Sequence, residues 1–431
     1  MNLIIDADPL RPINCIKELH VDDSSHIPRY PLERGCPFGL TYQFGNVFNC
    51  FASATLLALF HCPNMIRNLK HQSSEPCFCG KCSLKKLLDV FRAAYIHGMT
   101  VNPFERLPVI HWQTLSQAPS SLEFVHQGVY DLALSFREHM QGKSQLTEEE
   151  SQQQQDVGEF LLYLFFNKAE CPHGKVLGSL IDFHYEVKYD CDCKAKRQLT
   201  GFVNVLVSKD HKGLNLIDII TSNESTKISE KNRKCGICSK QITLEKASYG
   251  YNEGPRPNFS SKTIVFSLQG ETEQFIGFPF RIKHLSPSNI MYDPDRKFET
   301  FEEKHRAFKG YDECEYELRS IVRHSSSGVN FQETSTRGHY TTYVKFDEKW
   351  YEVDGPGAGQ QLKVSVNDEF LRVYGACYAF YDFVHLTTRE LEDPDDERVT
   401  EGCWKLSVKN ASSSPCTQFL SRSKGFLSKK N

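Results

Sequence analysis

Three residues of reactive type stand far apart in this chain: Cys50, His339 and Asp354. A thiol, an imidazole and a carboxylate are the parts of a nucleophile activated by a base that an acid holds in place. Their neighbourhoods say how each would be held. Cys50 lies between the polar, glycine-containing Gln43-Phe44-Gly45-Asn46 and the helix-forming run from Phe51 to Phe60. That predicts a thiol at a helix N-terminus, where unpaired N–H groups and the helix dipole favour a thiolate. His339 opens an alternating stretch that runs to Lys345, and Asp347-Glu348-Lys349 reads as a turn. Trp350-Tyr351-Glu352-Val353 then leads to Asp354. This is a β-hairpin pattern, and folding it back brings His339 and Asp354 together. A cysteine by itself is more often a small buried hydrophobe, so the other two residues carry the argument.

Other stretches must position these three. Residues 121 to 141 carry Leu122, Val125, Val129, Leu132, Ala133 and Phe136 at helical spacing, and Leu84 to Ile96 reads as a shorter helix. Gln154-Gln155-Asp156-Val157-Gly158-Glu159 precedes an apolar run from Phe160 to Phe165. If one helix extends through Asp156 and Glu159, their carboxylates share a face. Strands are expected at Leu180–Val187, Phe202–Val207, Lys262–Leu268 and from Tyr316 through Val322. The polar loop 325–337 lies immediately before His339, in a place to gate access to it.

The order of these segments resembles the papain-like ubiquitin-specific proteases. The cysteine box ends in Asn49-Cys50-Phe51-Ala52-Ser53-Ala54, and the middle box is Gln154-Gln155-Asp156-Val157-Gly158-Glu159-Phe160-Leu161. The histidine box runs from Ile321-Val322-Arg323-His324-Ser325 through Gly338-His339-Tyr340 to Asp354, and Cys377-Tyr378-Ala379-Phe380-Tyr381 is the closing strand. The resemblance implies an α+β fold with a helical thumb, a β-rich palm and zinc-bearing fingers. It spans about residues 36–385, with fingers near 171–265, after an irregular extension at 1–35 and before a polar, partly flexible tail at 386–431.

It also implies thiol-dependent hydrolysis after the C-terminal glycine of ubiquitin, with Cys50, His339 and Asp354 as the triad. Asp156, Glu159, Gly338 and Tyr340 would contact the ubiquitin tail. Two departures bear on the chemistry. Gly39-Leu40 lies too far upstream for the family's compact cysteine box, with about three extra residues before Cys50, so either Asn46 or Gln43 takes the oxyanion role. Gly355 stands where many relatives have a second acidic residue. The alternatives are a catalytically weak ubiquitin-binding scaffold and a protease for a ubiquitin-like modifier.

Sixteen cysteines in 431 residues, with no basic-then-apolar leader, point to reduced thiols and metal ligands rather than disulfides. Cys235-Gly236-Ile237-Cys238 has zinc-knuckle spacing, and with Cys191 and Cys193 it resembles the family's fingers site. Cys191 and Cys193 are one residue apart where the common pattern has two, and Cys171 or His173 are the substitutes. Cys77, Cys79 and Cys82, with His71 or Cys62, form a second metal-ligand set. Zinc in such a four-ligand site is structural, and the chemistry requires no cofactor. A net charge of -3 offers no general attraction to nucleic acid, and no apolar run is long enough to span a bilayer. The expected partners are ubiquitin or ubiquitinated proteins and a regulatory protein, in the cytoplasm or nucleus.

Overall fold

The computed structural model describes residues 37, 39–40, 43–44, 47–63, 65, 87, 90, 122–142, 155–166, 183–189, 196–222, 225–227, 238–240, 244–249, 263–270, 272–287, 310–325, 338–346, 348–355, 358–365, 368–390 and 403–407. In chain order the elements are β1 (Gln43–Phe44), β2 (Val47–Phe48), α1 (Cys50–Phe60), α2 (Leu122–Gly142), α3 (Val157–Phe166), β3 (Phe183–Tyr189), β4 (Lys196–Gly201), β5 (Val203–Val207), α4 (Leu216–Ser222), β6 (Ser225–Lys227) and β7 (Leu244–Tyr249). They continue as β8 (Ile264–Gly270), β9 (Phe275–Pro279), β10 (Arg281–Pro287), β11 (Gly310–Ser325), β12 (His339–Phe346), β13 (Lys349–Val353), β14 (Gln360–Gln361), β15 (Phe370–Tyr374), β16 (Ala376–Glu390) and β17 (Cys403–Leu406).

A nine-stranded sheet in the order β14-β13-β12-β11-β16-β8-β5, with β10 also on β11 and β17 on β10, organises the described residues. Its strands are antiparallel except for the β5–β8 pair. Alternation sends consecutive residues to opposite faces, and both faces are covered. Val322, Val344, Val353 and Phe380 join the core under α1, α2 and α3. Ile321, Tyr343, Trp350 and Tyr381 join a second core with α4 and the short β9–β15 ribbon. Burial on both faces explains why β8 and β16 read as near-continuous apolar runs.

α1 is apolar on every side, so it must be enclosed, and all eleven of its residues are buried. Phe51 meets Phe136 of α2 and Phe160 of α3 at ring-centre distances of 5.8 and 5.3 Å. On the sheet side two hydroxyls clamp the helix. Ser320 Oγ of β11 donates to the Ala58 carbonyl at 2.9 Å, and Thr342 Oγ1 of β12 donates to the Ala54 carbonyl at 3.2 Å. The first residue of this clamped helix is Cys50.

The structure differs from the sequence expectations at three places. β11 begins at Gly310 rather than near Tyr316, because its first half pairs with β10. Part of the tail expected from residue 386 is strand: β16 runs to Glu390, and Cys403–Leu406 forms β17 on the edge of β10. Asp156 is not on a helix face with Glu159; it precedes the first residue of α3, and its Oδ1 accepts the Glu159 N–H at 3.0 Å. A carboxylate beside the positive end of the helix caps it there. Of the helix expected at Leu84–Ile96, Leu87 and Val90 are described, both helical and buried.

Candidate active site

The hairpin read from the sequence is formed. β12 and β13 pair from Thr342↔Val353 to Phe346↔Lys349, with Glu348 at φ +58° in the turn. Asp354 follows directly on β13, and His339 Nε2 hydrogen-bonds its Oδ1 at 2.5 Å. That bond leaves Nδ1 for the thiol. A hydrogen bond with Cys50 is the largest influence raising His339 from 6.5 to about 9; burial opposes it, and the hydrogen bond to Asp354 raises it further. The imidazole is thus hydrogen-bonded to the carboxylate at the end of β13, and its titration feels the thiol at the start of α1.

Gly338 turns the chain into β12 with φ +125°, and a Cβ there would lie 2.5 Å from the Ser325 carbonyl oxygen. Only glycine meets both demands. Tyr340 is buried, and its hydroxyl is pushed well up by burial first and then by the charges of Asp156, Cys377, Tyr378 and Cys50. Asp156 is itself raised, chiefly by burial, against the backbone N–H groups that cap it. Glu159 is exposed and is also raised by partial burial and by Asp156.

The cleft at the sulfur is nearly shut. Cys50 is 3% exposed, and the space it shares with Leu40, Tyr340, Thr342, Val353 and Gly355 amounts to about 10 Å³. Pro37, Gly39 and Leu40 close it: the Gly359 N–H donates to the Pro37 carbonyl at 2.8 Å, and Gly39 lies against the Gly355 carbonyl.

Sequence reasoning passed over Asn49, Arg137 and His324. Asn49 precedes the nucleophile, is 1% exposed, and its Oδ1 accepts Arg137 Nη2 at 2.9 Å. His324 stacks on Tyr340 at 4.5 Å, and burial followed by the charge of His339 lowers it. The signal for Arg137 was present. It sits four residues after Ala133 and eight after Val129, on the apolar stripe of its helix.

Several expected residues lie outside the description. Asn46 does, and Gln43 is described only as backbone of β1. Cys191, Cys193 and Cys235, the substitutes Cys171 and His173, and the whole set His71, Cys77, Cys79 and Cys82 also fall outside the described residues, as does the loop 326–337. Cys238 is a half-buried free thiol, whereas Cys62 is fully buried in α1's core. Among the described residues no group of three or more potential ligands clusters, and no helix is long and apolar enough to cross a membrane.

A mixed sheet with few helices, carrying a thiol on a helix start against a histidine on a strand, defines a papain-like α+β architecture. The chain belongs to the ubiquitin carboxyl-terminal hydrolase family; the match to that family covers residues 43–356. No curated protein is matched by the sequence. Among solved structures, a SAGA DUB module of Ubp8, Sgf11, Sus1 and Sgf73 bound to monoubiquitin is similar at 16% identity, with 81% of this chain and 70% of that chain covered and a TM-score of 0.47. The same module bound to ubiquitin aldehyde is similar at 18% identity, covering 86% and 73%, with a TM-score of 0.48. The Saccharomyces cerevisiae Pan2 pseudoubiquitin hydrolase-RNA exonuclease module is similar at 13% identity, covering 80% and 55%, with a TM-score of 0.46.

Proposed function

We propose that this chain is a cysteine-type deubiquitinase that hydrolyses isopeptide or peptide bonds after the C-terminal glycine of ubiquitin. The observation that carries the reading is the His339–Asp354 hydrogen bond beside the buried Cys50 at the start of α1, whose thiol raises the imidazole's pKa. In this reaction His339 takes the thiol proton, the Cys50 sulfur attacks the glycine carbonyl, and the imidazolium protonates the leaving amine. Water then hydrolyses the thioester, with His339 again as base. Asp354 holds the ring in the orientation that presents Nδ1 to sulfur. The N–H groups at the start of α1 donate to the oxyanion, with the side chain of Asn46 or Gln43 as partner donor. Asp156 and Glu159 pair with basic residues of the ubiquitin tail, and Gly338 and Tyr340 line its path.

A structural zinc belongs to the same reading. β4-β3-β7-β6 form a separate four-stranded sheet, and the β3–β4 and β6–β7 connections leave the same end of it, since Tyr189 pairs with Glu245 and Lys227 with Leu244. Those connections carry Cys191, Cys193, Cys235 and Cys238, whose thiolates would hold the ion. Metal analysis of purified protein should find zinc that Cys238→Ser reduces; equal zinc in both would remove this assignment.

The closed cleft favours a second reading, a ubiquitin-binding protein that is weakly active until a regulatory protein opens it. The deciding experiment incubates the chain, and Cys50→Ala beside it, with ubiquitin bearing a C-terminal electrophile, followed by intact mass and peptide mapping. An adduct on Cys50, absent in the variant, supports the enzyme. Ubiquitin binding without an adduct supports the second reading, and loss of both sinks the assignment to ubiquitin.

A further inference from the structure

A charge on the apolar stripe of a buried helix is expensive, and Arg137 of α2 is only 5% exposed. Its guanidinium touches both chain neighbours of Cys50. Nη2 donates to Asn49 Oδ1 at 2.9 Å, and Cζ stands 5.2 Å from the centre of the Phe51 ring, within cation–π range. Asn49 has no side-chain bond to its own helix; its Oδ1 is held by Arg137 and its buried Nδ2 meets no acceptor among the described residues. The N-cap residue of the nucleophile's helix is therefore oriented from α2.

We propose that Arg137 is a positioning residue for the nucleophile: it fixes Asn49 and Phe51 on either side of Cys50 and sets a buried cation behind the sulfur. The inference rests on the reading of Cys50 as nucleophile. A neutral donor would tie α2 to Asn49 at lower desolvation cost, so the charge itself requires a reason. Burial draws Arg137 down to about 10, which leaves it cationic at neutral pH, and the charge of Cys50 is the largest influence in the opposite direction. Such coupling is reciprocal: what a thiolate contributes to keeping Arg137 charged, Arg137 returns to the thiolate. The other groups facing Cys50 are His339 and Tyr340 of β12, with Asp354 behind the histidine and Asp156 beyond the tyrosine. Among the described residues, His339 and Arg137 are the two cationic groups whose own titration feels Cys50.

The test follows alkylation of Cys50 by iodoacetamide against pH in the full chain, read by peptide mapping, with melting temperature as the check on folding. Arg137→Gln keeps a donor for Asn49 and removes the charge. Its half-maximal pH is expected to rise by about one unit, with a matching fall in rate at neutral pH. Arg137→Lys, which keeps the charge, is expected to stay close to the parent. An unchanged profile in Arg137→Gln, or an equal shift in both variants, overturns the inference. If Arg137→Gln does not fold, His339→Ala decides: half-maximal alkylation below the ordinary thiol value of about 8.5 supports the buried cation, and a value at or above it overturns the proposal. Alkylation requires no ubiquitin. A shifted profile in a chain that forms no ubiquitin adduct therefore leaves this inference standing while the proposed function falls.

Discussion

His339 is the residue on which the chemistry turns, and its two partners do not weigh equally. The hydrogen bond with Cys50 raises its pKa more than the one with Asp354, and together they lift it from 6.5 to about 9. Cys50→Ala and Asp354→Asn are therefore each expected to lower the His339 titration, followed by NMR of the ring protons. No change in Cys50→Ala would mean that the carboxylate alone governs the ring. The sign of the stability effect follows from the direction of the shift. A group raised on folding stabilises the folded state fully below its unfolded pKa of about 6.5, and loses that contribution as pH rises through its folded value. The melting-temperature difference between parent and His339→Gln should accordingly narrow between about pH 6.5 and pH 9. Activity on a ubiquitin amide should show an alkaline limb near pH 9, where the imidazolium that protonates the leaving amine is lost.

At the scale of elements, α1 places the sulfur and the sheet places α1. Ser320 and Thr342 reach from two neighbouring strands to carbonyls one turn apart in the helix. Each buried hydrogen bond of this kind contributes about 1 kcal/mol. Ser320→Ala with Thr342→Val should cost about 2 kcal/mol in denaturant unfolding and lower kcat with little change in KM; a loss of stability with kcat intact would show that the clamp does not set the sulfur. The elements nearest the chemistry were the most legible in sequence. α1 is uniformly apolar, and the β12–β13 hairpin alternates cleanly around its turn. Less was legible where charges lie within the sheet. The first half of β11 carries Asp312, Glu313 and Glu315, which lie before the strand expected from Tyr316, and Glu317 follows within it. They are strand residues because Lys283 meets Glu313 at 2.7 Å, Arg281 meets Glu315 at 3.0 Å, and Lys345 meets Glu317 at 2.9 Å across neighbouring strands. Cross-strand partners of this kind are distant in sequence, so no local pattern announces them. Whether Asp156 lies within α3 or caps it was not legible for the opposite reason. Its spacing to Glu159 suits both a helix face and a cap, and spacing cannot separate the two.

Over the whole molecule, the site exists only because four distant segments converge: residues 37–40, the start of α1, the start of β12 and the end of β13. The first of these is the one that closes the cleft. A space of about 10 Å³ at Cys50 holds no more than about one water, so a ubiquitin tail enters only after a wall moves. The wall that belongs to no helix or strand is made by Pro37, Gly39 and Leu40. It crosses Gly355 at a distance that admits no side chain, since a Cβ on Gly39 would stand 1.6 Å from that carbonyl oxygen. Gly39→Val must therefore lift the segment off β13, while the Cys50–His339–Asp354 series, built from other segments, stays in place. The expected result separates small reagents from large ones. Iodoacetamide should modify Cys50 several-fold faster in Gly39→Val than in the parent. The ubiquitin electrophile should react more slowly, because the displaced segment is also one side of the channel in which the tail must lie. Equal alkylation rates in two folded proteins would place the barrier to entry elsewhere. Faster reaction with both reagents would make the segment a pure obstruction, and would favour the reading in which a regulatory protein activates the chain by drawing it aside.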